Sequence, residues 1–168
     1  MSLMSAAALA SVLSFIMFAI MAINYVAPWL ATQQRAEALI PLLWVHAFRY
    51  VALQIYSAQQ FGLAVSDGAR DQIAIGDVIA AILAVISIVA LHYRARVAPV
   101  LVWVFVAEAT VDLVNSTIAG VREQLFATAS GVTWLILTFY VALLWVSLGL
   151  IVWQLYSRRQ EPLALAHA

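Results

Sequence analysis

Five apolar stretches, each about as long as a bilayer is thick, constrain this chain more than any other feature. A helix needs about 20 mostly apolar residues to cross a ~30 Å hydrocarbon core. Such stretches run over about residues 3–27, 38–58, 74–93, 98–120 and 130–155. In hydrocarbon each backbone N–H and C=O must be satisfied internally, so segments of this length and composition cross as helices. A water-soluble core cannot absorb them: hydrophobic residues are 66% of the chain and mean hydropathy is +1.01, against roughly 45–50% apolar in soluble domains. The sequence therefore predicts an all-α integral membrane bundle of five transmembrane helices, one domain over 1–157 followed by a short tail at 158–168. The first stretch lacks a basic flank and is too long for a signal-peptide core, so it reads as a retained helix.

Arginines in the connections set an expected orientation. Arg94 and Arg96 lie in the third connection and Arg158 and Arg159 follow the last stretch. The positive-inside rule puts both in the cytoplasm, which places the N-terminus outside and the C-terminus inside. Trp29, Trp44, Tyr56, Tyr93, Trp153 and Tyr156 fall near expected helix ends, where aromatic belts form. The 59–73 connection is the longest and is expected as a short amphipathic piece on the outer surface.

Against this apolar background, the charges inside the stretches stand out. The fourth contains Glu108, Asp112 and Asn115, and steps of four and three put them on one helical face. A charged side chain at bilayer depth costs at least ~2.5–3.5 kcal/mol on insertion scales, so such residues face a bundle interior and mark sites. The second stretch carries His46, Arg49 and Tyr50 on one face. The second and fourth helices run in the same direction, so at ~1.5 Å per residue His46, Arg49, Glu108 and Asp112 lie within about one turn of the same depth. Arg49 can pair with one carboxylate in a network that fixes helix register; the second acid then has only His46 beside it and becomes a titratable, ligand-ready group. Asp77, after Gly76, reads as a helix-start carboxylate or as an entry residue to the same cavity. Thr133, Trp134, Thr138 and Tyr140 of the fifth stretch, with Asn24 of the first, are polar enough to line it.

Other chemistries are argued against residue by residue. With no cysteine, there is no Fe–S cluster, thiolate zinc site or disulfide exchange. All eight cationic side chains are arginine, so no lysine can form a Schiff base with retinal or PLP. His46 and His92 differ in depth by about half a bilayer, which argues against bis-histidine haem. The helix-borne metal signatures Glu-x-x-His and HExxH are missing, and no metal is expected. A net charge of zero with 10% charged residues leaves no basic stripe for nucleic acid.

Several motifs recur together: His46-Ala47-Phe48-Arg49, Gly76-Asp77 with Ala80-Ala81, Trp103-Val104-Phe105 with Asp112 nine residues after the tryptophan, and Gly120 near the end of the fourth stretch. Over about residues 40–157 they resemble a family of small bacterial membrane proteins of uncharacterised function. Val106 and Ala109 depart from that pattern, which often has Asn and Gly there, and Glu108 lies outside it. The resemblance gives most weight to Arg49 and Asp112 and supplies no activity. The expectation is thus a bacterial inner-membrane protein binding or translocating a small ligand or proton at a polar site between the second and fourth helices. The ligand-binding set is His46, Arg49, Tyr50, Asp77, Glu108, Asp112 and Asn115. The partners expected are the lipid bilayer, a lipophilic or small ionic ligand, and a homo-oligomer or larger membrane complex. Two alternatives stand beside it: an accessory subunit of such a complex, or a membrane enzyme doing acid–base work on a lipophilic substrate.

Overall fold

A computed structural model describes residues 2–163. Five helices are long and apolar enough to cross a membrane: α1 Leu3–Ala31, α2 Arg35–Gln60, α3 Asp67–His92, α4 Ala98–Arg122 and α5 Gly131–Ser157. A single helical turn, Leu125–Thr128, sits between α4 and α5, and no strand occurs among the described residues. Side chains are distributed as a lipid solvent demands. Ile23, Ile82, Val100, Val111 and Val132 lie on the outside, whereas Arg49, His46, Asp112, Thr138, Ser147 and Gln154 are buried.

Helices α2, α3, α4 and α5 form a closed ring in which each packs on the next, and α1 lies outside it, against α5 and the Leu125–Thr128 turn. On α3 the inward face is made of Ala80, Ala81, Ala84 and Ser87. Without a hydrophobic drive between helices in lipid, small residues gain attraction by letting backbones approach. The core continues through Leu39, Leu43, Phe105, Val102, Leu148 and Ile151. Helix α1 has little share in it, and Val12, Phe15, Met17 and Ile20 remain exposed.

The helix limits differ from the sequence expectation chiefly at α3. It begins at Asp67, capped by the Ser66 hydroxyl, which accepts from the Ala69 amide. The stretch expected as a surface connection is therefore largely two further turns of helix, and only 61–66 remain as loop. Its far end closes with Arg94 at φ 49° and an Ala95 N–H to Ala90 C=O bond of 2.8 Å, a left-handed cap that satisfies carbonyls the helix leaves open.

Three helices change their internal hydrogen bonding. α1 widens to a π-turn at Ala22–Val26 just before Pro28, which has no N–H to give to the carbonyl one turn back. α5 has a π-turn at Ile136–Tyr140, where the Thr138 hydroxyl donates to the Trp134 carbonyl at 2.8 Å. α2 tightens to 3-10 geometry over Phe48–Leu53. Such interruptions inside long helices are associated with hinges and functional sites.

Candidate functional site

Arg49 is the largest fully buried side chain, 1% exposed. It stands at the start of the 3-10 stretch of α2, and its guanidinium bridges two acids from two other helices. Nε donates to Asp77 Oδ1 of α3 at 2.6 Å, and Nη2 donates to Asp112 Oδ2 of α4 in a short charged hydrogen bond. Ser116, one turn after Asp112, donates to its other oxygen at 3.4 Å. Arg49, Asp77 and Asp112 each lie within three residues of their helix midpoints, and hence within about 5 Å of mid-bundle at 1.5 Å per residue.

Gly76 makes this geometry fit. A Cβ on Gly76 would lie 2.7 Å from Asp112 Cγ and overlap the carboxylate outright. The absence of a side chain is what admits the Asp112 carboxylate between α3 and α4, so the adjacent Gly76-Asp77 pair supplies both the gap and a second acid.

The network is not closed. Arg49 Nη1 is buried and has no partner among the described residues, and neither has Glu108 Oε2. A buried donor left unpaired costs about 1–3 kcal/mol, more when charged, and a purely structural ion pair would be expected to spend every arm. Arg49 and Asp77 also line a cavity of about 370 Å³ bounded by Ser11, Phe15 and Ile16 of α1, Gln54 and Ile55 of α2, Leu113 and Thr117 of α4, and Thr133, Tyr140 and Trp145 of α5. All five helices contribute, and the lining is overwhelmingly apolar around one charged end. The 3-10 stretch of α2 and the π-turn of α5 both face it, bringing Val51, Ala52, Ile136 and Leu137 to its wall. Tyr140, at the end of the π-turn of α5, ties it to the α-helical turn of α2 just before the 3-10 stretch, its hydroxyl donating to the Val45 carbonyl at 2.6 Å.

The remaining residues singled out from the sequence fall in different places. His46 is fully buried, but its Nε2 lies 2.8 Å from Ser147 Oγ of α5 and its ring meets Phe105 edge-on. It belongs to the α2–α5 contact and forms no bond to an acid. Glu108 is half-buried one turn before Asp112, whereas Tyr50 and Asn115 face outward. Asp77 is the eleventh residue of α3, too deep in the helix for an N-terminal carboxylate. Thr133 reaches the site by donating to Gln54 Oε1 at 3.1 Å. Asn24 bonds back to its own helix at Ile20, and His92 is exposed at the α3 end. No three His, Cys, Asp or Glu side chains converge as metal ligands among the described residues, since Arg49 occupies the space between Asp77 and Asp112. Gly76 as a packing requirement and Ser147 as the partner of His46 carried no signal in the sequence.

A family described as a domain of unknown function (DUF8737) matches residues 6–156. No curated protein matches the chain, and no solved structure does.

Proposed function

The chain belongs to that family of domains of unknown function, and with no activity attached to the family we propose, from the geometry, that the protein binds a small ligand in the cavity beside Arg49. The observation that carries this reading is the buried, unspent Nη1 of Arg49 next to about 370 Å³ of space. Ligand pockets of this kind are mostly apolar, begin at ~300 Å³ and hold a few convergent polar groups. The cluster that anchors the ligand is Arg49, Asp77 and Asp112, and Glu108 beside it serves as a proton carrier. Passage of the ligand or of a proton is the extension of the same reading. It is supported by the irregular turns of α2 and α5, which face the cavity, and by α1, which leans on the ring at one side only.

The setting we propose is the bacterial inner membrane. Arg35, Arg94, Arg96, Arg158 and Arg159 gather at one end of the bundle, and Arg70 and Arg122 at the other, so the richer end is cytoplasmic and the N-terminus external. The cavity then occupies the outer half.

A filling substitution tests the reading. Ser11→Phe projects into the cavity from the loosely held α1 and touches no member of the ion-pair cluster. It should leave folded yield unchanged while removing small molecules that copurify in native nanodiscs. If those molecules remain with the variant, the cavity is not their site.

A second reading, association with other chains, rests on one observation. Val104, Val111, Asn115 and Ile118 are exposed on α4 with half-buried Glu108 among them, spaced in alternating fours and threes. An Asn facing lipid is expensive, and an interhelical hydrogen bond satisfies it. Asn115→Leu should then weaken self-association measured by crosslinking in vesicles; an unchanged crosslinking profile removes this reading.

A further inference from the structure

Resting on the ligand-binding reading above, we infer that the ligand is an uncharged lipophile carrying one hydrogen-bond acceptor, such as a ketone or ester oxygen, held against Arg49.

The hydrogen-bond inventory of the cavity carries this. Each lining hydroxyl already spends its proton on the protein. Ser11 donates to the Ala7 carbonyl at 2.9 Å, Thr117 to Leu113 at 2.7 Å, Tyr140 to Val45 at 2.6 Å, Thr133 to Gln54 Oε1 at 3.1 Å and Ser116 to Asp112 Oδ1 at 3.4 Å. The Gln54 amide and the Trp145 indole N–H of the wall are also unspent, but the fully buried donor left without a partner there is the Nη1 group of Arg49. A ligand that brings an acceptor relieves the buried donor; one that brings only donors does not.

Charge narrows the class further. Arg49 and Asp77 are the charged residues of the wall, so its formal charge sums to zero. Behind them Asp112 accepts from the same guanidinium, which leaves the ion-pair cluster with two carboxylates to one cation. A carboxylate or phosphate entering here meets net repulsion and loses its hydration in an apolar chamber. A cation is drawn by that net charge, but it too loses its hydration in the apolar chamber and finds the one lining acid already accepting from Arg49 at 2.6 Å. The apolar walls from Val12, Phe15, Ile16, Leu113 and Ile136 fit a hydrocarbon body. Such a molecule is dissolved in the bilayer and enters sideways, past α1, which packs on α5 and the Leu125–Thr128 turn.

The test uses four probes of one chain length: methyl decyl ketone, dodecane, dodecanoate and dodecyltrimethylammonium, each offered to the full chain in nanodiscs and scored by native mass spectrometry. The ketone should be retained at one molecule per chain, at least ~10-fold above the other three, as one hydrogen bond to a charged donor at ~1.5–3 kcal/mol implies. Arg49→Lys, which keeps the charge but not the forked donor, should reduce ketone retention to the dodecane level. Should that variant fail to fold, wild type against Ser11→Phe and the four-probe ranking still decide the matter. Equal retention of all probes, lost in Ser11→Phe, would overturn the ligand class and leave the cavity reading standing. Preference for either charged probe would overturn it in the same way. Retention unaffected by Ser11→Phe, or none for any probe, would overturn both.

Discussion

Gly76→Ala is the sharpest perturbation of the site, because the same change should stabilise a helix almost anywhere else. In a helix interior, Ala is favoured over Gly by up to ~1 kcal/mol. At position 76 the added Cβ would stand 2.7 Å from Asp112 Cγ, whereas ordinary contact begins at 3.4 Å. The carboxylate must therefore retreat by at least 0.7 Å, the difference of those two distances, and give up its short bond to Arg49. Breaking a buried pair by deleting one partner costs about 3–5 kcal/mol. Displacing the partner while gaining helix propensity should leave a net loss of about 2–3 kcal/mol. Gly149→Ala in α5, with nothing within 4 Å of the new Cβ, is the matched control and should gain as much as ~1 kcal/mol. The assay is reversible unfolding in mixed micelles of rising SDS fraction. In an Asp112→Ala background there is no carboxylate to displace, and Gly76→Ala should then cost nothing, a coupling of about 2–3 kcal/mol. If Gly76→Ala behaves like Gly149→Ala, or costs the same without Asp112, the claim that Gly76 admits the carboxylate is wrong.

Other outcomes follow from the same contacts. Arg49→Ala strands Asp77 and Asp112 together and should cost about 3–5 kcal/mol, while adding Asp77→Asn and Asp112→Asn should recover most of it; equal losses in the same micelle assay would mean that ion pairing is not what holds α2 to α3 and α4. Tyr140→Phe removes the bond to Val45 and should cost about 0.5–1.5 kcal/mol, with faster hydrogen exchange confined to the turn of α2 that carries Val45; unchanged exchange would contradict the link. Outside the membrane, the hydroxyl and amide of Ser66 at 2.5 and 3.0 Å hold the Glu123 carboxyl below its usual range. A depressed carboxyl stabilises above its unfolded pKa of ~4.3 and loses that contribution as pH falls through the lower folded value. The unfolding midpoint should thus drop on acidification below about pH 5, and a Glu123→Gln variant should show a shallower drop; identical pH profiles would exclude the capping role.

Existence and approximate placement of the five spans were legible because each is a predominantly apolar run of bilayer length, with few charges inside it. The beginning of α3 was not, since Asp67, Arg70 and Asp71 look like loop residues in a hydropathy profile. In the structure they form a solvated helical end, with Arg70 reaching Gln59 at 2.5 Å and lying over the Tyr56 ring. That error moved Asp77 to the surface in the sequence reading and hid it as the second partner of Arg49. Pairing of Arg49 with an acid of α4 could be read from depth and face alone, but not which of Glu108 and Asp112 it would take. His46 shares that face, yet its neighbour proved to be Ser147, a small polar residue in an apolar run that gives no pattern. The cavity was out of reach in principle, because its wall draws on five helices whose arrangement no single periodicity encodes.

At the opposite end of the bundle, the α1–α2 corner and the end of α5 are tied by arginine. Arg158 donates to the Leu30 and Gln33 carbonyls at 3.2 and 2.8 Å, and Arg35 donates to the Leu155 and Glu161 carbonyls, both at 2.7 Å. Of these acceptors Leu30 and Leu155 lie in the last turns of α1 and α5, where helix carbonyls attract cations. During synthesis the α1–α2 hairpin is complete while residues 155–161 are still untranslated, so the end that carries Leu30, Gln33 and Arg35 waits without these partners. The last turn to emerge is the one that fastens α1 to the ring. Quality control therefore has a simple readout: a chain cut before Arg158 carries five complete spans but an unlatched first helix, exposed to proteolysis at the hinge around Thr32 and Gln33.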